Sequence, residues 1–223
     1  MTDAELDELL ADCPRLFHMA EAGSWPAIRR HGLLSTSALL DLCDVAPERR
    51  PAIEAARRPA GIELQGPDGE RILIRDNKPI NDAALARVLD GGLVPEDWYR
   101  LLNGRVFFWL SEKRLRRLLE AGSYRAARHD VLTLDARALV EAHRDRIALS
   151  PINSGTTGRF PQRRGPETFR AIPDYPYAEW RRKRSKGERV VELTVDHGVP
   201  DVERFVLGLT RMGGGQPDEP LLT

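Results

Sequence analysis

The run Arg105 to Leu110, RVFFWL, constrains the fold more than any other stretch of the chain. With the two-residue period of a strand, Phe107, Trp109 and Ser111 share one face, and Val106, Phe108 and Leu110 share the other. Both faces are apolar. A strand of this kind is stable only when it is covered on both sides, so the run predicts a central strand of a buried sheet. Its alternative use is a pocket wall, where one face offers an aromatic on which a flat ring stacks. Gly104 precedes the run. Ser111 follows as the cap of a helix, EKRLRRLLEA, which Gly122 ends.

Around this strand the pattern alternates without a repeat. Residues 3–12 predict a helix with Leu6, Leu9 and Leu10 as its apolar stripe. RLFHMA (Arg15 to Ala20) predicts a strand. A helix follows, with Ser24 as its cap, Pro26 in its first turn and Gly32 as its stop. STSALLDLC and PERRPAIEAARR are helical in pattern. GIELQGPDGERILIRD predicts a hairpin about Gly66-Pro67-Asp68-Gly69. Asn81 caps DAALARVLD, and Pro95 to Asn103 gives a further helix. DVLTLD, RIALS and ERFVLGLTR predict strands, and ARALVEAHR a helix. Pro151 to Gly187 reads as a long irregular connection.

No GxGxxG follows a strand, no GxxxxGK[ST] occurs, and no βαβ unit recurs. The expected class is α+β. Length and pattern predict one domain over residues 1–212 and a disordered tail over 213–223.

Composition removes several functions. Lys plus Arg and Asp plus Glu both number 34, so any nucleic-acid site is local rather than global. Cys13 and Cys43 are too few for a disulfide framework or a thiolate metal site. The five His residues show no HExxH and no paired ligand spacing, so no metal is expected. The N-terminal run MTDAELDELLAD is acidic, unlike a signal peptide, and no apolar run approaches the roughly 20 residues that span a bilayer. A cytoplasmic protein without membrane contact is expected.

Three features carry chemistry. His18 sits in the first strand, as a structural or a functional histidine. Glu192 lies in mid-strand within GERVVELTVDHGVPD, opposite Val191, Leu193 and Val195. It is either solvated at a sheet face or set in a cleft, where a fixed carboxylate stabilises a cationic transition state. Asp174 to Arg189 brings together Tyr175, Tyr177 and Trp180, then Arg181, Arg182, Lys183, Arg184, Lys186 and Arg189. Aromatics beside Arg suit single-stranded nucleic acid, stacking bases and pairing phosphates. The alternative is a solvated basic helix end with its aromatics in the core.

The order of these pieces resembles the ADP-ribosyltransferase superfamily and, within it, the toxins of the DarT type that modify DNA bases. LFHMAEAGSWPAIRRHGLLS is similar to the superfamily's opening. GRVFFWLSEKRLRRLLEAG is similar to its second element, and ERVVELTVDHGVP to the strand that carries its catalytic Glu. The resemblance covers residues 15–35, 104–121 and 188–207. It implies a split-sheet core with added helices, and a glycosyltransferase that uses NAD as substrate and releases nicotinamide. His18 would then hydrogen-bond the adenosine ribose. Phe107, which keeps the ring but lacks the hydroxyl of the family's Tyr, or Trp109 would stack on nicotinamide. Glu192 would be catalytic, holding the 2′-hydroxyl of the nicotinamide ribose. Arg75 or Arg105 would contact NAD. Tyr175, Tyr177, Trp180, Arg181, Arg182 and Arg184 would bind the acceptor, a base of single-stranded nucleic acid, DNA before RNA. NSGTTG (Asn153 to Gly158) is either a phosphate-binding loop or a flexible one. A toxin with a paired antitoxin is implied at family level. The rivals are an NAD glycohydrolase or RNA 2′-phosphotransferase on the same scaffold, and a non-catalytic nucleic-acid-binding module.

Overall fold

Most of the periodic runs become elements of the expected type in the computed structural model, which describes residues 1–158 and 160–222. The acidic N-terminus forms α1 (Asp3–Asp12). A capping box opens it: the Glu5 N–H donates to the Thr2 hydroxyl and the Thr2 N–H to the Glu5 carboxylate. Then come β1 (Arg15–Glu21), α2 (Trp25–His31), β2 (Leu33–Leu34), α3 (Thr36–Leu42) and α4 (Arg50–Glu54). Gly32 stops α2 at φ 85°, and a Cβ there would lie 2.4 Å from Pro200 Cα, so only glycine fits. The hairpin β3 (Ile62–Gln65) and β4 (Arg71–Ile74) precedes α5 (Asp82–Ala86) and α6 (Pro95–Asn103). The Asn81 side chain caps α5 by accepting from the Ala84 N–H at 2.9 Å.

The second half holds β5 (Arg105–Trp109), α7 (Glu112–Leu119), β6 (Arg128–Asp135), α8 (Ala136–His143) and β7 (Ile147–Ser150). It continues with β8 (Arg170–Ala171), α9 (Tyr177–Lys183), β9 (Glu192–Asp196), β10 (Gly198–Val199), β11 (Val206–Gly213) and β12 (Glu219–Leu222). Among the described residues no helix is long and apolar enough to cross a membrane.

Eight strands form one sheet in the order β12-β11-β6-β1-β5-β9-β7-β8, and every registered pair in it is antiparallel. The class is mixed α and β, built on a large antiparallel sheet. β5 is central and covered on both faces, as its sequence requires. Val106, Phe108 and Leu110 enter the main core with Leu16, Leu193, Val195, and Leu139 and Val140 of α8. On the other face Trp109 packs on a second cluster of Phe17, Met19, Leu115 and Leu119. Residues 36–103 form a layer with two small cores of their own, one about Leu40, Ile53, Leu64 and Ile74, the other about Ile80, Leu85, Trp98 and Tyr99.

The sheet divides at its centre. β1 pairs with β6 along its whole length, from Arg15↔Asp135 to Glu21↔His129. With β5 its register holds at Phe17↔Trp109 alone. Beyond that pair the two strands part.

Three expectations are corrected. The helices expected over PERRPAIEAARR and DAALARVLD shorten to α4 and α5. The second stops because Val88 O and the Asp90 N–H bond Arg164 in a strand-like bridge. Within the irregular connection, residues 177–183 form α9, which the sequence reading missed. The tail expected to be disordered carries β12, paired with β11 through Leu209↔Leu222 and Arg211↔Glu219. Gly213, Gly214 and Gly215, all at positive φ, make the turn, and Arg128 ties it by donating to Arg211 O and Pro217 O. Thr223 lies outside the described residues.

Candidate functional site

Two cavities, of about 290 and 440 Å³, open where β1 and β5 part. They share His18, Arg75, Asp76, Asn77, Leu102 and Phe107, so they form two ends of one cleft. The layer 36–103 supplies one wall. The smaller end reaches Ser24, Ile28, His31, Ser35 and Arg105, and the larger end reaches Trp109, Arg114, Ser154 and Glu192. The residues expected around NAD therefore converge on one space, although they come from positions 18 to 192.

His18 projects from β1 into the gap between strands. Its Nδ1 lies 2.9 Å from Phe107 O. A carbonyl only accepts, so Nδ1 carries the proton and Nε2 keeps its lone pair. Burial pushes the imidazole down to about 4, and the Phe107 carbonyl only partly offsets this. The ring is neutral at physiological pH and presents an acceptor.

Glu192 opens β9 opposite Trp109 of β5 and Ser150 of β7. It is 4% exposed, so the solvated alternative does not hold. Its two carboxylate oxygens accept the Ser154 N–H, each at 3.2 Å. Burial pushes the carboxyl up to about 7, against Ser154 and the Arg164 and Arg114 guanidiniums, which draw it down. Thr194 shares its face and is also buried, its hydroxyl donating to Ala148 O.

The NSGTTG segment, read as a phosphate-binding or a flexible loop, makes specific contacts on both sides. It is docked on the turn before α5. The Thr157 N–H donates to Pro79 O, and the Asn81 N–H to the Thr157 hydroxyl at 2.7 Å. Arg164 holds it from below by donating to Ser154 O at 2.9 Å. Its function here is to aim one backbone N–H at Glu192. No sequence signal points to Ser154 or Arg164; the contacts span 38 and 10 residues.

The two candidate arginines separate. Arg75 lies at the junction of both cavities. It donates to Met19 O at 2.9 Å, pairs with Glu21 at 3.6 Å and stacks over Tyr124. Its Nη2 is buried without a hydrogen-bond partner. Arg105 pairs with Asp196 at 3.2 Å and donates to Leu101 O, over the Phe169 ring, and its Nε, like Arg75 Nη2, is buried without a hydrogen bond among the described residues. Arg114 of α7 was not anticipated. It borders the larger cavity and pairs with Glu188.

The expected nucleic-acid residues are divided between core and surface. Tyr175 is 2% and Tyr177 1% exposed, both in the main core. Tyr175 donates to Arg189 O at 2.6 Å, and Tyr177 accepts from Arg189 at 2.9 Å. Neither offers a ring face to a base, which corrects that assignment. Trp180 is partly buried against the core and covered by the Arg184 guanidinium, 4.1 Å from its ring. Acidic α1 neutralises the run: Arg181 pairs with Glu8, Lys186 with Asp12, and Arg189 with both. Arg184 donates to Pro151 O and Glu188 O. Arg182 stays exposed and, among the described residues, without a partner.

Among the described residues one group has ligand atoms within 4.8 Å of one another, as a metal would need: His31, Asp68 and Glu70. The folded hairpin brings them together, which spacing along the chain does not reveal. Two of its anions already have partners, since Arg30 pairs with Asp68 and His31 with Glu70.

No curated protein matches this chain. Residues 14–206 match a family described as "Family of unknown function (DUF7002)", from the start of β1 to the start of β11. That span includes each cleft residue named above, and the chain belongs to the DUF7002 family.

Proposed function

We propose that this protein is an NAD-dependent ADP-ribosyltransferase whose acceptor is a nucleic-acid base. One observation carries the reading. His18, the Phe107–Trp109 pair and Glu192 lie on three neighbouring strands, β1, β5 and β9, around a cleft opened by the parting of the sheet. This is the order in which the resemblance arranges a ribose-binding His, a nicotinamide-stacking aromatic and a catalytic Glu.

The residues suit the substrate chemically. The His18 Nε2 lone pair would accept a ribose hydroxyl. Phe107 and Trp109 border the larger end of the cleft, where a nicotinamide ring would stack. Arg75, with a buried unpartnered Nη2, would donate to a phosphate oxygen. NAD brings a glycosidic C–N bond whose cleavage leaves its electron pair on nicotinamide and cationic character on the ribose. The Glu192 carboxylate would accept the 2′-hydroxyl proton in a hydrogen bond and stabilise that charge. An acceptor nitrogen then forms the new bond to the same carbon and gives up its proton.

Nicotinamide release on incubation with NAD tests the catalytic reading. Wild type should release it, and Glu192→Gln should lose about 10²–10³ in rate while still folding. Since Glu192 titrates near 7 and acts as the anion, the rate should rise with pH through about 7 and then level off. Near-normal release by a folded Glu192→Gln protein would sink the assignment. Label from NAD appearing on an oligonucleotide separates transfer from simple hydrolysis of NAD.

A further inference from the structure

The segment between β5 and β6 carries a charge pattern that the cleft does not use. Residues 113–128 hold six cations, Lys113, Arg114, Arg116, Arg117, Arg125 and Arg128, against one carboxylate, Glu120. Arg114, Arg116 and Arg128 are engaged by Glu188, by Glu112 with Asp218, and by Glu219. Lys113, Arg117 and Arg125 are exposed and, among the described residues, make no hydrogen bond, ion pair or ring contact. Lys113 and Arg117 are one turn apart on α7 and so share a face. Arg117 itself borders the cavity that holds Glu192, and Ser123 and Tyr124, just before Arg125, border it too. By contrast, among the described residues Arg182 is the one unengaged cation in the 181–189 run.

We infer that α7 and the turn after it form the track on which the phosphates of a single-stranded nucleic acid lie, placing a base at the Glu192 end of the cleft. Partnerless cations suit this because a phosphate displaces only water and counterions from them, whereas Arg181, Lys183, Lys186 and Arg189 must first give up carboxylates. Trp109 lines that end of the cleft and supplies an aromatic ring for a base entering it. The inference takes its acceptor class from the transferase reading, but the binding surface stands apart from the chemistry.

The test is affinity for a fluorescent single-stranded DNA oligonucleotide across a salt series, with nicotinamide release measured in parallel without oligonucleotide. The variant is Lys113→Glu with Arg125→Glu, two residues outside the cavity lining and without partners, so its melting temperature should match wild type. Wild-type affinity should fall with salt. The double variant should bind about tenfold or more weakly at low salt, with a slope smaller by about 1.4, at about 0.7 per phosphate. Nicotinamide release should not change. Equal affinity and slope in the two proteins would overturn the track, as would loss of binding in Arg182→Glu alone. A wild type that binds no oligonucleotide would also overturn it, and would turn the search toward an acidic protein partner. Salt-dependent binding lost in the double variant, in a protein that releases no nicotinamide, would leave the track standing and remove the transferase reading.

Discussion

At Glu192 a carboxylate is held where burial costs it most and one N–H partly compensates. In an unfolded chain it titrates near 4.5, and in the fold near 7. Between those values the folded state binds the extra proton, so stability falls as pH rises, and the whole penalty is present above 7. Glu192→Gln removes the charge and keeps a carbonyl to accept from Ser154. The variant should therefore be more stable than wild type at pH 8, by on the order of 1–3 kcal/mol, and the gap should close toward pH 5. Chemical denaturation at both values checks this; a variant less stable at pH 8 would show that the carboxylate contributes to folding. Arg75 and Arg105 pose the same contrast between site and scaffold. Arg75→Ala should weaken NAD binding by about tenfold or more, because it removes a charged donor that borders both ends of the cleft. Arg105→Ala should lower the melting temperature and leave NAD affinity near wild type, since it breaks the Asp196 pair instead. Titration of NAD by calorimetry separates the two.

At the scale of elements, α1 pairs with the segment around α9, whose cations and rings composition reads as a nucleic-acid face. Glu8 and Asp12 lie one turn apart on α1 and meet Arg181, Lys186 and Arg189. The aromatics of the same segment close the core behind them. The sequence showed the cations and the rings but not what they would face, because their partners lie more than 170 residues away. Replacing Arg181, Arg182 and Arg184 together with Glu should cost about 1–3 kcal/mol of stability, by opposing Glu8 and freeing Pro151 O. Urea unfolding checks it, and an unchanged midpoint would restore these residues to the surface role. The chain also spends a loop on one bond. Residues 153–157 are irregular by composition, yet they are fixed by Pro79, Asn81 and Arg164 so that Ser154 meets Glu192.

Across the whole molecule, the sheet and the 36–103 layer are built on different scales. The sheet packs through a large apolar cluster from α1 to β11 on one face and a smaller one on the other, while the layer rests on two small ones. Arg58, buried and drawn down to about 10 by desolvation, ties the layer together by donating to Arg75 O and the Asn103 side chain. Local opening follows the size of the apolar contacts that must be broken. Amide hydrogen exchange should accordingly be slowest in β1, β6 and β9 and faster in β3, β4 and α5. NAD should slow exchange at residues 75–77, which border both ends of the cleft. Uniform protection, or no effect of NAD there, would argue that this layer is not the wall of a ligand site.

The sequence by itself determined the elements that depend on local chemistry. Period-two apolar runs became β1, β5, β6, β7 and β9. Leu6, Leu9 and Leu10 became the buried stripe of α1, and Gly32 and Asn81 became a stop and a cap. It also picked out His18, Phe107, Trp109, Arg75 and Glu192, which meet in the cleft. The glycine-rich tail misled because three glycines at positive φ serve a turn as readily as disorder, and only the edge of β11 selects between them. Which arginine is free, which tyrosine is buried and which carboxylate is dry were decided by tertiary structure. Each depends on groups brought together from distant positions, and desolvation and ion pairing act through space, not along the chain.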